Sequence, residues 1–147
     1  MTMKNLSVDI LSSKSSSETL KEAFNDMIEL AEDELWVNVE FIHGFLSFWV
    51  PTPREELQED NHQPFGIIEV GDDQPWMDKI ISLSHEVGHC LHRKSKTFNG
   101  VDDTMFSESI AWFLGYNWFF DRNIIISMDE YQSFMVKALE LYRLELE

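Results

Sequence analysis

The sequence predicts an α+β fold in a single domain, and three observations lead there. Helical periodicity marks the segment that opens near Ser17 and the whole stretch from Asp73 onward, while three short runs rich in β-branched and aromatic residues lie between them. The 147 residues match the usual size of one compact domain, with no composition break to divide them. An apolar fraction of 44%, including eleven Phe and five Trp, is ample for a core built largely from rings.

Taken in order, residues 1–16 read as a flexible arm or loop, because Ser12, Ser13, Ser15, Ser16 and Ser17 crowd one short stretch. Ser17 reads as an N-cap. Leu20, Phe24, Met27, Ile28 and Ala31 follow at helical spacing, so a helix is expected from about Ser17 to Glu34. The run Leu35 to Ile42 alternates in part and reads as a strand. His43-Gly44 supplies a tight connection to a second strand, Phe45 to Val50, stopped by Pro51 and Pro53, and the two are expected to pair. The charged segment Arg54 to Gln63 is a loop or short helix, and Phe65 to Val70 a third strand ending at Gly71-Asp72-Asp73. Asp73 can cap the next helix and Pro75 fits its first turn, where a missing N–H costs nothing. Trp76, Ile80, Ile81, Leu83, Val87 and Leu91 carry that helix to about Lys94. Asn99-Gly100 is a turn signal in the linker that follows. Two further helices are expected, from about Thr104 to Phe120 and from Met128 to near the C-terminus.

The net charge of −16 narrows the function classes. Binding a phosphate backbone needs clustered Lys and Arg, so nucleic acid and anionic membrane are not expected partners. The basic cluster of Arg93, Lys94 and Lys96 sits at a predicted helix end, where it offsets the macrodipole. A basic protein or peptide is the natural partner for such a surface, and solubility alone also accounts for the charge. The single cysteine, Cys90, allows no intrachain disulfide, and no apolar run approaches the ~20 residues of a membrane span. Met1 to Lys14 lacks a long apolar segment of the secretory type. A cytoplasmic protein is expected; the oligomeric state is open.

His85-Glu86-Val87-Gly88-His89 carries the most specific chemistry. Residues four apart lie about 40° apart around a helix and one turn apart along it, so two imidazoles can converge on one cation. Glu86 projects beside such a metal and can polarise its water. Gly88 leaves a gap that lets another backbone approach. A catalytic zinc site takes a third protein ligand and keeps a fourth position for water. No histidine follows His92, so a downstream ligand must be acidic. Glu108 is the best candidate, because it stands in the mostly apolar run Phe106 to Phe113, where an unpaired carboxylate is costly. Asp102 and Asp103 fall in the predicted loop and read as caps for the next helix. Cys90 points roughly 100° away from His89 and reads as a core thiol. His92 shares the histidine stripe one turn further on and reads as a polar residue at the helix end, or as the rim of the site. His43 and His62 lie in turn-like surroundings and receive no role.

The spacing of His85-Glu86-x-x-His89 and Glu108, with eighteen residues between His89 and Glu108, resembles the gluzincin zinc peptidases, which include thermolysin and aminopeptidase N. Ser107 to Ala111 resembles the short Glu-centred helix of that family. The order of helix, small sheet, HExxH helix and glutamate helix is similar to the single-domain minigluzincins and ImmA/IrrE-type peptidases. The resemblance implies a zincin-like fold, Zn2+ held by His85, His89 and Glu108, and Glu86 as general base in peptide hydrolysis. It also implies that Phe65 to Val70 is the edge strand on which an extended peptide is bound. The metzincin pattern does not fit, since the glycine and third histidine expected beyond His89 are absent. Two positions depart from the family. Tyr116, Tyr131 and Tyr142 are the downstream tyrosines available to stabilise an oxyanion, and none stands in a recognisable motif. Trp112 stands four residues after Glu108, where thermolysin-like enzymes carry an Asp that hydrogen-bonds a zinc-binding histidine. A zinc metallopeptidase is therefore the leading expectation. A metal-containing interaction module without efficient proteolysis is the alternative, and an acidic mimic acting through charge is the third reading.

Overall fold

A computed structural model describes residues 10–53, 64–95 and 104–146. Among them the elements run β1 (Ile10–Leu11), α1 (Ser17–Leu35), β2 (Val37–Ile42), β3 (Phe48–Pro51), β4 (Gly66–Gly71), α2 (Trp76–Lys94), α3 (Met105–Phe120), β5 (Ile125–Ile126) and α4 (Met128–Leu146). The architecture is α+β: four helices, one three-stranded sheet and one two-stranded sheet among the described residues. The expected loop from Arg54 to Gln63, His62 within it, the Asn99-Gly100 turn, and the proposed caps Asp102 and Asp103 lie outside the described residues.

Local chemistry explains the element ends. Ser16, not Ser17, caps α1, its Oγ accepting a hydrogen bond from the Thr19 amide. Leu20, Phe24, Met27, Ala31 and Leu35 form the buried stripe of that helix. Leu35 ends the helix and Trp36, at φ 56°, turns the chain into β2, so the first strand starts two residues later than its apolar run. A left-handed backbone is strained for a side chain this bulky. The Trp36 carbonyl accepts the Phe65 amide at 2.7 Å, which holds the turn against the end of β4. Asp73 does not cap α2, whose N-cap Pro75 offers no side-chain bond. Its Oδ2 instead accepts the Gly44 amide at 2.6 Å and pins the link between β2 and β3. Thr104 caps α3 by accepting the Ser107 amide.

The sheet differs from the expected hairpin. Its order is β2-β4-β3, with β4 parallel to β2 and antiparallel to β3. β2 and β3 do not pair, and the strand expected at the edge, Phe65 to Val70, is the central one. Its burial explains this: Ile68 and Val70 are fully enclosed, while Phe48 and Val50 of β3 stay half exposed. Ile68 and Val70 share the face turned to the core, Ile67 and Glu69 on the other face stay partly exposed, and neighbours pair along both edges of the strand.

Part of the serine-rich arm is also tied down. β1 pairs in parallel with β5, Leu11 is buried, and the Ser13 amide bonds the Glu130 carboxylate. The main core forms where α2 runs between α1, the sheet and α3, with Ile80, Ile81, Leu83, Val87 and Cys90 at its centre. Among the described residues no helix is long and apolar enough to cross a membrane.

Candidate metal centre

Two glycines set the register that builds the site. A methyl group added at Gly88 of α2 would fall on the Ala111 carbonyl of α3, and one added at Gly115 of α3 would fall on the Ser84 carbonyl of α2. The two helices therefore touch backbone to backbone along an antiparallel line through Ser84–Gly115 and Gly88–Ala111. One turn further along, His92 Nδ1 lies 3.3 Å from Ser107 Oγ. The adjoining stripe of each helix carries the chemistry. Across it His85 meets Trp112, and His89 meets Glu108.

His85 Nε2 lies 3.0 Å from Glu108 Oε2, and His89 Nε2 lies 2.7 Å from the same oxygen. One ligand atom from each of the three residues falls within 4.8 Å of the others, a grouping that could hold a metal ion. Glu86 is buried and stands on the opposite side of the first ring, its Oε2 3.1 Å from His85 Nδ1. His89 Nδ1 is buried without a hydrogen-bond partner.

The electrostatics follow from this crowding. Burial disfavours the charged form of His85, but the neighbouring carboxylates of Glu86 and Glu108 overcome it and raise its pKa to about 9. Burial likewise pushes Glu108 up, while hydrogen bonds and charge from His85 and His89 pull it down to about 2. Glu108 is thus an ionised carboxylate facing two imidazoles at neutral pH. Two ring nitrogens and a carboxylate oxygen are a donor set that could hold a metal ion, and a metal bound there would compete with the proton on His85.

The cluster opens into a cleft of about 510 Å3. One wall is the segment that leads into and forms the start of β3, with Phe45, Leu46 and Phe48, and the other is α4, with Phe134 and Ala138. Glu86, His85, His89 and Glu108 all reach this space. An ion at the cluster would keep an open side toward the cleft, as a catalytic site requires.

The remaining candidates separate clearly. The Tyr116 hydroxyl donates to the Ile126 carbonyl and the Tyr131 hydroxyl to the Trp112 carbonyl, so both are engaged by backbone. Tyr131 is buried, and burial raises its pKa. Tyr142 is half buried on α4 and does not line the cleft. Cys90 is fully buried, and burial pushes its thiol up to about 12. His92 is also buried, at 2% exposure, between α2 and α3 rather than at an exposed helix end. His43 is exposed. Sequence reasoning missed the cleft walls. The aromatic residues from Phe45 to Trp49 were the available signal, since Phe45 and Phe48 stay exposed beside the cluster.

No protein-family model, no curated protein and no solved structure matches this chain.

Proposed function

We propose that this protein is a small zinc metallopeptidase of the gluzincin type, with a zincin-like fold, in which His85, His89 and Glu108 hold Zn2+ and Glu86 moves the proton. The observation that carries the reading is the convergence of two imidazole Nε2 atoms on one Glu108 oxygen, at the floor of an open cleft that Glu86 also lines. When bound, zinc supplies Lewis acidity, lowering the pKa of water from 15.7 to about 7. Glu86 accepts a proton on its carboxylate as water adds to the peptide carbonyl, then delivers it to the departing amine. The net reaction consumes one water and yields a carboxylic acid and an amine. The walls from Phe45 to Phe48 and from Phe134 to Ala138 position the peptide, and the charge of −16 favours a basic one over nucleic acid or anionic membrane. A lone buried thiol suits a cytoplasmic setting.

The strand expected to bind substrate as a free edge is central, so that role passes to β3, whose outer edge pairs with no strand among the described residues and which lines the cleft. A second reading, a metal-holding interaction module without efficient proteolysis, draws on the tyrosines. Tyr116 and Tyr131 direct their hydroxyls to carbonyls rather than into the cleft.

Metal analysis combined with peptide-library cleavage tests both. One zinc per chain is expected. His85→Ala should weaken zinc binding by more than the ~10- to 100-fold that loss of an outer partner costs. Glu86→Gln should keep the metal and lower hydrolysis by about 10²- to 10⁴-fold. Zinc-loaded protein that cleaves nothing in the library would favour the interaction module, and protein that takes up no zinc would overturn the site.

A further inference from the structure

A metal-bound histidine is ordinarily held in place by a hydrogen bond from its far ring nitrogen to a carboxylate or carbonyl. For His85 that carboxylate is Glu86, whose Oε2 lies 3.1 Å from Nδ1. In the proposed reaction the same carboxylate takes up a proton. What restrains the ring independently of Glu86 is flat contact with Trp112. The two ring centroids are 4.0 Å apart and their planes differ by 6°.

Trp112 is itself immobilised. It is 1% exposed, Tyr131 packs edge-on against its ring at 5.4 Å, and Phe134 leans on it at 5.9 Å. The Tyr131 hydroxyl bonds the Trp112 carbonyl as well, so α4 braces both the side chain and the backbone of this residue. Glu108 and Trp112 stand one turn apart on α3, so one helical face supplies both a ligand and a platform for another.

We propose that Trp112 is a positioning residue for the metal centre, fixing the plane of His85 by stacking so that the ring keeps its orientation when the Glu86 carboxylate takes up a proton. The inference rests on the zinc-site reading above. Stacking sets ring tilt without occupying a nitrogen. A hydrogen-bonding carboxylate in the same place would set ring direction and add a negative charge. The indole does the first job and adds no charge to a pocket that already holds Glu86 and Glu108.

The test compares Trp112→Phe with Trp112→Leu in the full chain, since both shrink the side chain and only phenylalanine keeps a flat face. Zinc affinity is read by competition with a chromophoric chelator, and the ligand field by the visible spectrum of cobalt-substituted protein. Trp112→Phe should retain most of the affinity and the wild-type cobalt spectrum. Trp112→Leu should bind about 10- to 100-fold more weakly, with an altered spectrum. If Trp112→Leu does not fold, the wild type decides. Stacking requires the His85 ring protons to be shifted upfield in the NMR spectrum of the zinc-loaded protein. Equal zinc affinities and unchanged cobalt spectra in the two variants, or unshifted His85 protons, would overturn the role of Trp112. A wild type that binds no zinc would instead overturn the site on which the role depends.

Discussion

Trp112 lies against His85, and the rings around it show how much of the candidate site is carried by single side chains. Tyr131 is the clearest case. Its hydroxyl braces the Trp112 carbonyl, so Tyr131→Phe should cost about 0.5–1.5 kcal/mol of stability in urea denaturation. Under the proposed peptidase reading, the same variant should leave hydrolysis close to wild type, because that hydroxyl points at backbone and not into the cleft. A large fall in the rate constant with unchanged stability would reassign Tyr131 to catalysis. Cys90 permits a prediction with a definite sign. Its thiol is held up to about 12 against an ordinary value of 9.0, so it stays protonated in the folded chain where an unfolded one would ionise. Stability from this group is therefore undiminished below about pH 9 and declines as pH rises from there toward 12. At pH 9 iodoacetamide should alkylate Cys90 only after denaturant is added, and mass spectrometry would register modification of the native protein if this is wrong.

At the scale of elements, the decisive contact is α2 against α3. Helices at ordinary spacing stand 8–10 Å apart, and side chains fill the gap. Here Gly88 and Gly115 remove those side chains where the two helices cross, and each glycine lies against a carbonyl of the other helix. The candidate ligands sit on the adjoining stripe, so their separation depends on this approach. Gly88→Ala should destabilise the fold by about 1–3 kcal/mol, as overpacking does, and should also weaken zinc binding by parting Glu108 from His89. Thermal melts of the metal-free variant, set beside its zinc affinity, separate the two effects. A variant that melts lower yet binds zinc normally would show that the ligands tolerate a wider crossing.

For the molecule as a whole, distant parts of the chain are joined behind the site. β1 and β5 bring Ile10–Leu11 beside Ile125–Ile126, and the Leu11 carbonyl accepts the Ser127 amide at the start of α4. α4 in turn carries Tyr131 and Phe134 to Trp112 and forms one wall of the cleft. Leu11 is 5% exposed, so Leu11→Ala should cost about 2–4 kcal/mol in denaturant unfolding. If β1 anchors α4, that variant should also admit proteases to α4 before the rest of the chain. Uniform proteolysis would mean that α4 is held by α3 alone.

Much of this was legible in the residues because it depends on short-range rules. Periodicity placed the four helices, since a helix repeats its buried face every three to four residues whatever surrounds it. His85, Glu86, His89 and Glu108 stood out because their residue types and spacing mean something only on helices. Gly88 announced a close neighbour but could not say which. Long-range facts stayed hidden. The pairing of β2 with β4 rather than β3 depends on which strand edges meet once the helices are packed, and alternation within one strand does not encode its neighbours. The reading of residues 1–16 as a flexible arm failed at Leu11 because its partner strand lies more than a hundred residues away. Trp112 read as a missing aspartate until α2 and α3 were brought together. Sequence alone therefore determined the α+β class and the candidate ligands, which are local in their chemistry. Only the tertiary structure decided the strand order, the open cleft and the ring on which His85 rests, because each is a contact between elements that no local pattern specifies.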